Sequence, residues 1–104
     1  MKNKISMMGS LIAIAFASCV QPSPKACFDF SKTENVKVGD TITLVNCSTY
    51  FTDVAWILPL NGTTTAVSPR IKINNSGNYA VTLTVGEDNF AKQNSLTKSI
   101  MVLP

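Results

Sequence analysis

Tyr79-Ala80-Val81-Thr82-Leu83-Thr84-Val85 alternates without a break. Tyr79, Val81, Leu83 and Val85 share one face, and Ala80, Thr82 and Thr84 share the other, which is the period of a β-strand with one side in a core. Just upstream, Asn74-Asn75-Ser76-Gly77 is turn chemistry, and Arg70-Ile71-Lys72-Ile73 alternates with both isoleucines inward. Further back, residues 63–67 are threonine-rich and suit a sheet edge. Asp53-Val54-Ala55-Trp56-Ile57-Leu58 puts Val54, Trp56 and Leu58 on one face and ends at Pro59 and the tight-turn pair Asn61-Gly62. Downstream, residues 86–89 turn the chain, a loose polar stretch follows, and residues 96–103 form a closing strand with Ile100 and Val102 inward. With Val38-Gly39-Asp40 turning into a strand over 41–47, six or seven short strands emerge, and no helical period competes. The pattern predicts an all-β chain, an antiparallel β-sandwich.

The cysteines refine this picture. In Cys27-Phe28-Asp29-Phe30-Ser31 the phenylalanines face one way, and Cys27 faces the other. In Thr41-Ile42-Thr43-Leu44-Val45-Asn46-Cys47, Ile42 and Leu44 face one way while Thr43, Val45 and Cys47 face the other. An antiparallel pair with Cys27 opposite Cys47 sets Phe30 against Leu44 and Phe28 against Asn46. Every core residue then shares a face, and both sulfurs lie outside; a shift by one residue destroys the match. A Cys27–Cys47 disulfide follows. Metal or redox roles for the pair have no support, because the chain has no histidine and no C-x-x-C spacing.

The third cysteine belongs to a different segment. Residues 1–4 are basic, and residues 5–17 are uncharged and mostly apolar. As a helix that stretch rises about 20 Å, short of the roughly 30 Å hydrocarbon core, so it fits a signal segment better than a permanent span. Ala17-Ser18-Cys19 resembles a lipobox, with Phe16 where leucine is usual. The resemblance implies a signal peptide over 1–18, a diacylglycerol thioether on Cys19, and an acyl chain such as palmitate on the freed amine. The alternative is an ordinary cleaved signal peptide with Cys19 as a structural thiol. Residues 19–25, with Gln21-Pro22-Ser23-Pro24, read as a stiff tether, and residues 26–104 as the domain. Giving Cys19 to lipid leaves an even number of cysteines for an oxidising compartment. The expected location is the cell envelope, lipid-anchored at the outer membrane, and the lack of an acidic run after Cys19 points to its periplasmic face.

Charge excludes one class of partner. Of nine basic and six acidic residues, Lys2 and Lys4 lie in the signal segment. Without them the balance is near neutral, and the few aromatics are not interleaved with Lys or Arg, so no nucleic-acid footprint remains.

The opening Cys27-Phe28-Asp29-Phe30, Val38-Gly39-Asp40-Thr41-Ile42-Thr43-Leu44, Asn46-Cys47-Ser48, Trp56, the run from Ser76 to Val85 and Ile100-Met101-Val102 together resemble the PKD-type (polycystic kidney disease) immunoglobulin-like domain. The resemblance implies Trp56 between the sheets and, at Gly77-Asn78-Tyr79, the tyrosine corner of Greek-key sandwiches. In that family an acidic turn, Asp-Phe-Gly-Asp-Gly, typically follows the tryptophan. Here Ile57-Leu58-Pro59-Leu60-Asn61-Gly62 stands instead, so no ligand or ion role of that turn carries over. Ile57, Pro59 and Leu60 become candidates for an exposed contact surface, or for packing under a neighbouring strand. Tyr50 and Phe51, adjacent between two strands, are candidates for a glycan contact.

Catalysis has little to work with. The six acids, Asp29, Glu34, Asp40, Asp53, Glu87 and Asp88, are scattered over strands and turns, and without histidine general-base work falls to these carboxylates alone. Glu87-Asp88-Asn89 is the one acidic cluster and is read as a solvated hairpin tip in preference to a calcium site. The sequons at Asn46, Asn61 and Asn74 are read as turn chemistry. No cofactor is expected. The expectation is a non-catalytic, lipid-anchored module for binding, adhesion or spacing, with a protein or glycan partner. The rival expectation is a periplasmic accessory or inhibitor subunit of an envelope enzyme or secretion component.

Overall fold

The longest elements are the two arms of one hairpin, and the rest of the domain is arranged around them. The computed structural model describes residues 22–104. Its strands are β1 (Phe28–Phe30), β2 (Thr41–Asn46), β3 (Asp53–Ile57), β4 (Thr63–Thr64), β5 (Arg70–Lys72), β6 (Gly77–Glu87) and β7 (Lys92–Val102). Two antiparallel sheets result, ordered β1-β2-β5 and β4-β3-β6-β7, so the fold is the expected all-β antiparallel sandwich. The expected signal peptide, Cys19 and the first part of the tether lie outside the described residues.

β6 pairs with β7 from Gly77↔Val102 to Glu87↔Lys92. The last strand therefore starts at Lys92 and not at Leu96. Residues 92–95 carry no apolar side chain, so alternation cannot mark them, yet their backbone completes the ladder. Asn94 is polar because its Oδ1 accepts a 2.7 Å hydrogen bond from the Ala26 amide. Asp88, Asn89 and Phe90 close the hairpin, all with positive φ. Asp and Asn tolerate that region, whereas a bulky residue such as Phe90 is an outlier there. The Asp53 carboxylate holds Phe90 in place, accepting from its amide at 3.1 Å.

β1 and β2 pair with Phe28 opposite Asn46 and Phe30 opposite Leu44. Cys27 and Cys47 form the disulfide on the outer face with Cα atoms 4.8 Å apart, inside the usual range for such bridges. Pro24 is buried, and Lys25 exchanges two 3.1 Å backbone hydrogen bonds with Thr49. These residues, expected as the end of the tether, are already part of the sandwich. After β1 the chain leaves one sheet for the other: the Val38 amide donates to Leu103 and the Leu103 amide to Val36, in parallel pairing beside β7.

The core lies between the sheets. Phe28, Ile42, Leu44, Trp56, Val81, Leu83 and Val85 are almost fully buried. Phe28 meets Trp56 edge-on at 5.1 Å and Phe30 at 5.7 Å, a geometry favoured by the ring quadrupoles. The Trp56 indole N–H donates to the Ala66 carbonyl at 2.8 Å, so its one polar atom is satisfied. Leu58 is half-buried against this core, and Ile71 and Ile73 close it beneath β5.

Candidate functional site

The residues singled out as contacts fall at opposite ends of the sandwich, because β3 runs between them. Tyr50 and Phe51 precede β3, and Ile57 and Leu60 close or follow it. One strand of this size separates the two places by about 15 Å, so they do not form one site.

At the first end, Tyr50 sits at φ 56 and is 60% exposed. Phe51 turns inward and packs against the core. Thus the adjacent aromatic pair is split, and no two-ring stacking platform exists there. Phe51, Val54, Val67 and Phe90 instead line an open hollow of about 340 Å³, with Asp53 and neighbouring threonines. Val67 is held by the Asn46 side chain, whose Nδ2 donates to its carbonyl at 3.0 Å, while Asn46 Oδ1 accepts from the Ser48 amide at 2.9 Å. That Asx turn explains the asparagine of the first sequon. Val67 and Phe90 were not singled out from sequence. Phe90, an aromatic directly after an acidic turn, was the available signal.

At the second end, Pro59–Asn61 form a single 3₁₀ turn. The Leu58 amide donates to the Gly62 carbonyl at 2.7 Å, which pinches the loop shut. Leu60 is held at φ 64 inside it, a conformation that disfavours a branched side chain. Ile57 is 60% and Leu60 61% exposed, while Pro59 is half-buried. Of the three apolar residues, two point to solvent and one partly packs.

Near this end, Gly77 takes φ 141 and the Tyr79 hydroxyl donates to the Asn75 carbonyl at 3.0 Å. This is the geometry of a tyrosine corner. It ties β6 to the preceding turn and serves the fold.

Charged groups are dispersed. Among the described residues no group of three or more His, Cys, Asp or Glu converges on one point. Asp29 pairs with Lys98 at 2.7 Å, and the Lys98 ammonium also lies 5.7 Å from the Phe28 ring centroid. Asp40 accepts from the Lys37 amide at 2.9 Å and from Lys32 Nζ at 3.1 Å. These bonds, the backbone one first, hold its carboxyl below the ordinary aspartate range. Among the described residues the arrangement offers exposed apolar surfaces and a hollow.

The sequence matches no protein-family model and no curated protein. Solved structures do match, and they define a fold class: the PKD-type immunoglobulin-like β-sandwich. The chain is similar to the PKD1 domain of the Vibrio cholerae metalloprotease PrtV, with a TM-score of 0.66 and 25% identity over 80% of this chain and 100% of that one. It is similar to the PKD1 domain of Vibrio anguillarum Epp, with a TM-score of 0.65 and 24% identity over 80% of this chain and 98% of that one. A structure of carbohydrate-binding modules from the β-sandwich superfamily also matches, with a TM-score of 0.66 and 27% identity over 79% of this chain and 35% of that one. The fold is PKD-type, and its neighbours are PKD and carbohydrate-binding domains.

Proposed function

We propose that this chain is a non-catalytic binding module, held at the envelope membrane through Cys19, that recognises a protein partner with its 57–60 loop. The supporting observation is the loop itself. A short backbone bond between Leu58 and Gly62 fixes Leu60 in the left-handed region, so that two large apolar side chains stand in water on a rigid base. Backbone strain of this kind costs about 1–3 kcal/mol and persists where the surroundings enforce it, often at ligand contacts. A preordered loop also lowers the entropy cost of association.

A glycan partner, which the carbohydrate-binding neighbour raises, has weaker support. With Phe51 turned into the core, Tyr50 is left without its aromatic neighbour. Lipidation of Cys19 and a place on the periplasmic side of the outer membrane belong to the same proposal. If the partner is one envelope enzyme or secretion component, the chain is its accessory or inhibitor subunit.

Crosslinking in intact envelopes followed by purification of the full-length protein tests the reading. One defined protein should co-purify with the wild type and be lost with Ile57→Asp or Leu60→Asp. Both positions are exposed, so the variants should fold. Undiminished capture by both variants refutes the loop as the contact. For the anchor, Cys19→Ala should move the protein from the membrane to the soluble fraction.

A further inference from the structure

The end of the sandwich at which the chain enters carries the hollow. Pro24 is buried and Lys25 is locked to Thr49 by a reciprocal pair of backbone hydrogen bonds, so the sandwich begins at Pro24. If Cys19 carries the lipid, as proposed above, the path from it to Pro24 spans at most about 17 Å even when fully extended. The residue after Thr49 is the exposed Tyr50. The hydrogen bonds that fix the entry point therefore fix Tyr50 beside it.

We infer that this end rests on the bilayer surface, with Tyr50, Val67 and Phe90 as its contact, and that the 57–60 loop consequently faces away from the membrane. The chemistry at this end suits that occupant. Tyr50 and Val67 are 60% and 59% exposed, and Phe51 and Phe90 line the hollow together with Val67. Tyrosine, with an apolar ring and a hydroxyl that can stay wet, is favoured at the membrane–water interface. Lys25 and Lys92 are exposed at this end, but Asp53 in the hollow, Glu87 opposite Lys92 and Asp88 at the hairpin tip outnumber them, so charge does not draw the end to headgroup phosphates. Apolar contact therefore carries the docking. The inference adds an orientation to the binding role: the fold acts as a spacer that places its strained apolar loop one sandwich length from the lipid.

The test uses the full-length lipidated protein in phosphatidylethanolamine–phosphatidylglycerol vesicles, with Tyr50→Trp, Val67→Trp and Leu60→Trp made separately. Buried Trp56 supplies a constant background. The added emission at positions 50 and 67 should shift to the blue, and lipids brominated on their acyl chains should remove most of it, whereas position 60 should be unaffected. Vesicle-bound protein in which positions 50 and 67 stay water-exposed overturns the inference while the anchor stands. Protein that does not bind vesicles overturns the anchor reading and this one with it. A blue shift at position 50 with soluble envelope glycan but not with vesicles also overturns it and assigns Tyr50 to a glycan.

Discussion

Removing the Cys27–Cys47 bridge probes both its energetics and the register that produced it. The two residues are separated by 20 positions, so the chain-entropy relation gives about 3.3 kcal/mol at 25 °C for closing that loop in the unfolded state. The bridge lies on the outer face, with Cys47 exposed and Cys27 half-buried, so Cys27→Ser with Cys47→Ser opens no core cavity to add a packing loss. Phe28 and Phe30 still anchor β1 from the inner face, and the double variant should fold. Urea unfolding of the double variant and of the oxidised and reduced wild type, followed by circular dichroism, measures the effect. The reduced protein and the double variant should each lose about 3 kcal/mol, out of the 5–15 kcal/mol typical of a domain. Their m-values should also rise, because the unfolded chain without the link exposes more surface. A loss below about 1 kcal/mol with an unchanged m-value would refute the entropic account, which predicts roughly three times that loss.

Other consequences can be checked in the same way. Tyr79→Phe removes only the hydroxyl that donates to Asn75 and should cost about 1 kcal/mol in urea unfolding; an unchanged midpoint would mean that the corner bond contributes nothing. Trp56→Phe removes the donor to Ala66 and part of the central core volume, and should cost about 2–3 kcal/mol, read as a lower midpoint at constant m. Asp40 has a folded-state pKa below its ordinary 3.8, so its carboxylate stabilises the fold above that pH and the contribution disappears as pH falls through the lowered folded value. Asp40→Asn should therefore be less stable at neutral pH and show a flatter acid limb in thermal melts between pH 5 and about 2; parallel acid limbs would contradict this.

Much of the architecture was legible because a strand writes its two faces into alternate residues. The run from Tyr79 to Val85 declared its inner side, and the structure buries Val81, Leu83 and Val85 as that alternation requires. Cys27 and Cys47 declared a register because setting the two sulfurs opposite each other puts every core residue of both strands on one face, and that register is the one observed. Residues 92–95 were illegible for the converse reason. Ladder hydrogen bonds are made by backbone that every residue carries, so a polar segment can be strand without showing it.

Alternation records which face a residue occupies, but not which end of the sandwich it reaches or which loop lies beside it. Those follow from chain reversals among distant segments. Only the tertiary structure could place Tyr50 and Leu60 at opposite ends of β3, split Phe51 from Tyr50 by turning it into the core, and gather Val67 and Phe90 around one hollow. It also drew Lys25 out of the tether, through bonds to a residue more than twenty positions away, and buried Pro24 beside it. By itself the sequence determined the faces of the strands and the partner of Cys27, because those are local periodicities. The position of the contact surfaces relative to the chain's point of entry was decided in three dimensions, where non-local backbone pairing sets which loops share an end.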